Sequence, residues 1–178
     1  MDTGLLYRAV GLNLVRFGGD PGNEFEAVRA CDLSSTSFDD PELRSEIVGS
    51  YASRISAYPA VRSHLLDRQR DFAEQEGGAV LDGRDIGTVI APGATAKLFV
   101  TAAPEVRARR RLSELTANGF NVHFEEVLND IRARDERDAG RDTAPLARAD
   151  DAMLLDTSDY DVAGAIAAAI ALVEARLG

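Results

Sequence analysis

The residues with the most capacity for chemistry are Asp82, Arg84 and Asp85, set among glycines in the run Leu81-Asp82-Gly83-Arg84-Asp85-Ile86-Gly87-Thr88. Two carboxylates and a guanidinium within four positions can accept from an amine, grip an anion or orient water on a metal ion. The run follows the apolar stretch Ala79-Val80-Leu81 and precedes the turn Pro92-Gly93, a pattern that predicts a loop at the carboxyl end of a strand. In open α/β sheets, ligands bind there. An ordinary polar turn remains the other reading of this stretch taken alone.

A second concentration of charge runs from Glu105 to Arg141, where eight arginines meet eight acids. The segment is locally neutral inside a chain of net charge −10. Arg134, Asp138 and Arg141 recur at spacings of four and three, which predicts one helical face on which arginines converge on a phosphate while the acid holds one of them. A solvated, salt-bridge-laced helix pair is the alternative, the usual fate of charge runs.

Positioning these groups takes an alternation of helices and strands. Apolar residues from Leu5 to Val15 fall at helical spacing and stop before Gly18-Gly19. Glu24 to Cys31 predicts a short helix, and 32–40 a polar, turn-rich loop anchored by Leu33 and Phe38. Pro41 behind Asp39-Asp40 predicts a helix start, with Leu43, Ile47, Val48, Tyr51 and Ile55 as its inward stripe. Pro59 opens the next helix, with Val61, Leu65, Leu66, Gln69 and Phe72 inward, and brings Ser53 and Arg62 toward one corner. Strands are expected at 79–81, 96–101 and 153–156, the second apolar enough for burial on both faces. Helices are expected from Pro104 to Asn118, from Phe120 to Asp138, and after a capping box at 158–161, the last carrying Val162, Ile166, Ile170, Val173 and Leu177. Strands alternating with helices make an α/β fold with a parallel sheet.

Composition narrows the function classes. At 178 residues and 45% hydrophobic, the chain suits one domain with a real core. A sequence pI near 4.7 argues against general affinity for nucleic acid or an anionic membrane, so any anion must be captured locally. Lys97 is the single lysine and the other basic residues are arginines, whose planar forks grip phosphate bidentately. Cys31 is the single cysteine, which excludes an intrachain disulfide and suits a reducing cytoplasm. His64 and His123 are too isolated to suggest a metal site, and no stretch approaches the ~20 apolar residues of a membrane span.

In their joint order, Asp2-Thr3-Gly4-Leu5-Leu6-Tyr7-Arg8, the stretch Ser53 to Arg62, the run Asp82 to Thr88, Arg107-Ala108-Arg109-Arg110-Arg111, the stretch Arg134 to Leu146, and Leu155-Asp156-Thr157 resemble the bacterial cytidylate kinases. The resemblance covers essentially the whole chain. It implies a P-loop nucleoside monophosphate kinase fold in one domain of residues 1–178, with a helical CMP-binding region over about 18–78 and a lid with flanking helices over about 107–141. It also implies transfer of a phosphoryl group from ATP, with Mg²⁺, to CMP or dCMP in pyrimidine nucleotide metabolism, by a cytoplasmic monomer. Carried over, Arg8, Arg84, Arg134 and Arg141 hold the CMP phosphate or the transferring group. Ser53, Arg62 and Asp85 read the cytosine edge, and Asp138, Asp2 and Thr3 hold the pentose. Asp82 orients water on Mg²⁺, and Arg110 and Arg111 belong to a lid over ATP. Exposed polar residues in ordinary surface roles remain the competing reading for Asp82, Ser53 and Arg107 to Arg111.

The departure from the family is at the start. No Gly-Lys-[Ser/Thr] occurs in the chain, and the first strand and phosphate loop, roughly thirty residues or about one supersecondary unit, are expected to be missing before Met1. Impaired phosphoryl transfer is the expectation, and a non-catalytic CMP-binding or interaction protein is the alternative.

Overall fold

A computed structural model describes all of residues 1–178. The chain divides into two compact bodies, Met1–Ala91 with Arg141–Leu146, and Pro92–Gly140 with Ala147–Gly178.

The first body is helical: α1 (Gly4–Arg16), α2 (Glu24–Arg29), a 3₁₀ turn (Pro41–Arg44), α3 (Glu46–Ile55), α4 (Pro59–Ala73) and a π-helical turn (Ile86–Ile90). Its core joins Leu6, Val10, Leu12 and Leu14 of α1 to Val48 and Ile55 of α3 and Val61 and Leu65 of α4. Leu12, Leu14 and Ile55 are almost fully enclosed, each contributing about 1.5–3 kcal/mol of burial. The helix expected from Pro41 is instead two pieces. Asp40 caps the 3₁₀ turn by accepting from the Glu42 amide, and Ser45, in extended backbone, starts α3 by accepting from the Val48 amide. That break rotates the stripe, so Leu43 and Val48 face inward while Ile47 lies outside.

The strand expected at 79–81 is not formed. A strand needs a partner, and here the partner is only Met1 to Thr3: the Asp82 amide donates to Met1 O at 2.9 Å and the Thr3 amide to Asp82 O at 2.9 Å, making one parallel bridge between Asp2 and Asp82. Val80 is consequently 85% exposed.

The second body holds β1 (Leu98–Thr101), α5 (Pro104–Ala117), α6 (Phe124–Ala139), β2 (Met153–Asp156) and α7 (Val162–Leu177). The two strands pair in parallel, Leu98 against Met153 through Thr101 against Asp156. The α/β class and the parallel sheet are thus present. Burial of β1 on both faces is not, because a two-stranded sheet covers too little, and Val100 points outward. α5 and α6 pack through Ala108, Leu115, Val127 and Leu128. α6 begins later than Phe120, at Phe124, where Glu126 reaches back to the His123 amide in a capping box. α7 starts where Asp161 accepts from the Gly164 amide, and most of its apolar stripe is exposed, Val162 by 78% and Ile166 by 55%, with Val173 half-buried. The period of the pattern is helical as expected, but the small sheet offers that face little to pack on. No helix is long and apolar enough to cross a membrane.

Candidate functional site

In the first body the candidate residues gather around one buried ion pair. Arg62 sits one turn into α4, and its Nη2 donates to Asp85 Oδ2, with side chains 9% and 7% exposed. Removing two charges from water is costly, and the pair is tolerated only because each partner has further support. The Arg62 Nη1 reaches the Ser56 carbonyl at 3.4 Å, and the guanidinium carbon lies 5.8 Å from the centroid of the Tyr7 ring. Asp85 is held by its own carbonyl. That oxygen accepts from the Thr88 amide and hydroxyl, the Val89 amide at 2.8 Å and the Ile90 amide. The convergence winds Ile86–Ile90 into the π-helical turn, a rare local geometry that recurs at functional sites. Sequence reasoning predicted only a loop at this place.

Ser53 is buried on α3, with its carbonyl accepting from the Ser56 hydroxyl. Arg84 is exposed on the loop just before Asp85. Arg8, on the turn of α1 next to Tyr7, donates from Nη1 to Leu43 O at 2.8 Å and Ser45 O at 3.2 Å. Its guanidinium lies over Gly49, where an added Cβ would stand 3.0 Å from Nη2.

Asp2, Thr3 and Asp82 meet through the single bridge described above. The bridged register puts the Asp2 and Asp82 side chains on the same side of the pair. Thr3 is buried, and its hydroxyl donates to Asp82 O at 2.8 Å. Gly83 is required here: a Cβ would fall 2.2 Å from Thr3 Oγ1. Asp82 is exposed, and nowhere do three His, Cys, Asp or Glu side chains form a group able to hold a metal ion.

The helical face expected for Arg134, Asp138 and Arg141 is not formed as one unit. α6 ends at Ala139 with Gly140 as its cap, so Arg141 lies past the helix and belongs to the first body. There it bears on the Tyr7 hydroxyl. Burial, the largest influence, pushes that hydroxyl's pKa up, Asp85 adds to the rise, and Arg62, Gln69 and Arg141 oppose it. The hydroxyl therefore stays protonated at neutral pH. Arg134 and Asp138 belong to the second body, where Asp138 is 2% exposed and Arg134 Nε stands 3.9 Å from its Oδ2.

The arginine run on α5 is occupied within its own body. Arg107 makes a fork with Asp135, Nη1 to Oδ1 at 2.9 Å and Nη2 to Oδ2 at 2.5 Å. Arg110 donates to Thr157 O at 2.6 Å and Tyr160 O at 2.9 Å, tying α5 to the turn after β2. Arg111 pairs with Glu114 one turn on, at 2.9 Å. Lys97 is paired with Asp151 at 2.8 Å.

The sequence gives Tyr7 and Gln69 no functional role: Tyr7 is legible only as part of the Asp2–Arg8 motif and Gln69 only as an inward position of α4.

Against known proteins, the family model described as cytidylate kinase matches residues 1–175. A cytidylate kinase of Xanthobacter autotrophicus is 58% identical over 179 residues, covering 99% of this chain and 85% of that protein. One from a Caulobacter species is 53% identical, covering 98% and 81%. One from Azorhizobium caulinodans is 52% identical, covering 100% and 86%.

Proposed function

The chain belongs to the cytidylate kinase family, a family of phosphotransferases, and on that premise we propose that it binds CMP or dCMP with the first body's buried pair against the base. The Arg62–Asp85 pair carries this reading. Cytosine offers an amino donor beside ring acceptors, and a carboxylate next to a guanidinium is the complementary edge. Uracil turns a carbonyl oxygen toward the carboxylate and leaves it unpaired, which is the arrangement that discriminates strongly.

The remaining roles we propose are those that membership of the family implies. Arg8, Arg84, Arg134 and Arg141 hold the CMP phosphate or the group in transfer, offsetting the charge of two phosphates brought together. Ser53 completes the base contacts, and Asp138, with Asp2 and Thr3, holds the pentose. The second substrate is ATP, with Arg110 and Arg111 on its side; the CMP phosphate oxygen attacks the γ-phosphorus and ADP leaves. Asp82 is an exposed carboxylate outside any three-ligand group, which suits Mg²⁺ brought on ATP and contacted through water rather than an ion caged by protein. We place the reaction in the cytoplasm, where both nucleotides are made.

Within these 178 residues no Gly-Lys-[Ser/Thr] supplies a cradle for the ATP phosphates, and Lys97, the one lysine, is engaged with Asp151. We therefore propose that this chain, as it stands, retains CMP binding and transfers the phosphoryl group poorly. A non-catalytic CMP-binding protein is the limiting form of that reading. Calorimetry with CMP, UMP and AMP, beside a coupled assay for CDP with ATP and Mg²⁺, tests both parts. CMP binding tighter than UMP or AMP is expected, with turnover far below about 1–100 s⁻¹. Turnover in that range overturns the impairment, and preference for UMP or AMP overturns the substrate.

A further inference from the structure

Tyr7 is 8% exposed, and its hydroxyl is buried with no hydrogen bond of ordinary geometry, although the Gln69 amide lies beside it. Gln69 is itself enclosed and spends its Nε2 on Leu65 O at 3.0 Å. With no hydrogen bond of ordinary geometry at its hydroxyl, Tyr7 acts through its ring, which packs in the core of the first body and meets Arg62. That face lies under the Arg62 guanidinium, at 5.8 Å from the centroid.

Arg62 is therefore confined from three directions by three separate elements. Asp85 holds it from the π-helical turn, the Ser56 carbonyl from the end of α3, and the Tyr7 ring from α1. The contact with Ser56 is long, and the ring adds a restraint from a third side. A planar fork can meet a carboxylate with both of its ends, and doing so would consume the carboxylate oxygen that a ligand needs. Here Nη2 meets Asp85 Oδ2 while Nη1 turns to Ser56 O, so the fork is not spent on the carboxylate with both ends, and the ring contact favours that setting of the guanidinium.

We infer that Tyr7 is a positioning residue for base selection: its ring fixes the Arg62 guanidinium so that Arg62 and Asp85 present one donor–acceptor edge to cytosine. This inference rests on the assignment of that pair to the base. It gives Tyr7 no contact with the reacting atoms and makes its hydroxyl dispensable.

The test is the ratio of CMP to UMP affinity, measured by calorimetry on the full chain, wild type against Tyr7→Phe and Tyr7→Leu. Circular dichroism first establishes that each variant is folded. Tyr7→Phe keeps the ring and is expected to keep the ratio within about twofold, whereas Tyr7→Leu is expected to lower it about tenfold, mostly through weaker CMP binding. Where Tyr7→Leu does not fold, Tyr7→Met, which fills more of the ring's volume, is read in the same way. A purely structural tyrosine would weaken both nucleotides in parallel and leave the ratio where it was, and that result overturns the inference. Loss of the ratio in Tyr7→Phe also overturns it, because the hydroxyl would then be the working group. A wild-type chain that does not prefer CMP to UMP removes the base assignment and this inference with it, while a wild type that discriminates beside an equally discriminating Tyr7→Leu removes this inference alone.

Discussion

Replacing Asp85 by alanine leaves the Arg62 charge enclosed at 9% side-chain exposure with no carboxylate beside it. Breaking a buried pair from one side costs about 3–5 kcal/mol, because the surviving charge has lost its water and gained nothing. Nothing at the site offsets that, because the Tyr7 ring meets the guanidinium before and after the change and the Ser56 carbonyl at 3.4 Å is too long to take over. A loss of about 3–5 kcal/mol follows, or a fall in Tm of roughly 6–20 °C at the usual 2–4 °C per kcal/mol for a chain of this size. Removing both charges with Arg62→Met and Asp85→Leu should be milder than the sum of the two single changes, since neither charge is then stranded. Denaturant unfolding followed by circular dichroism reads both, with unchanged slopes as the sign that the unfolded states are alike. Repeating it with CMP at about 100 Kd should add about 2.7 kcal/mol to the wild type and almost nothing to Asp85→Ala. A single variant within about 1 kcal/mol of wild type, or strictly additive single changes, would refute the claim that the pair is coupled and buried.

Gly83→Ala should destabilise by about 1–3 kcal/mol, since its Cβ meets Thr3 Oγ1 at 2.2 Å and must break the hydroxyl's bond to Asp82 O; a melting curve coincident with wild type would contradict it. Gly49→Ala pushes on the Arg8 guanidinium from 3.0 Å, so CMP affinity should fall several-fold while cytidine affinity holds, and equal losses for the two ligands would separate Arg8 from the phosphate. Arg107→Lys exchanges a two-pronged contact with Asp135 for a point charge and should lower stability by about 0.5–1 kcal/mol without changing CMP binding, both checked on one sample by melting and calorimetry. Burial pushes the Cys31 thiol up to about 11, above its value of about 9 in the unfolded chain. The folded state therefore favours the protonated thiol, and the stability this contributes is intact below pH 9 and lost as pH rises toward 11. Reaction with a disulfide reagent should accordingly stay slow through pH 9, and a reactivity midpoint near the ordinary 8.5 would sink that reading.

Much of the fold was legible because it is written in local signals. The stripes of α1, α4 and α6, the prolines that open α4 and α5, and the apolar runs of β1 and β2 each act within about one helical turn or one strand. What failed depends on a distant partner. Ala79-Val80-Leu81 has strand composition, but its only neighbours are Met1 to Thr3, so one bridge forms and no ladder. α7 has a helical stripe, and periodicity reports that a face exists without reporting what covers it. The split at Ser45 turned on a side-chain cap that competes with continuing the helix, and it decided which of Ile47 and Val48 faces the core.

The candidate site divides along the same line. Asp85 stands out in the sequence because two carboxylates and an arginine share its short run, whereas the helix pattern sets Arg62 only near Ser53 and its role comes through resemblance to a family. Their pairing spans 23 positions, and the ring that confines Arg62 lies on a third element, so no window of sequence holds all three. Arg134 and Asp138 keep the helical spacing that marked them, whereas Arg141 was assigned to their face by arithmetic that ignored Gly140 as a helix stop. Gly140 is the helix-end signal that takes Arg141 off α6, and Arg141 lies instead in the first body. Spacing thus identifies groups that share an element, and the buried Arg62–Asp85 pair depends on contacts that join α1, α4 and the π-helical turn.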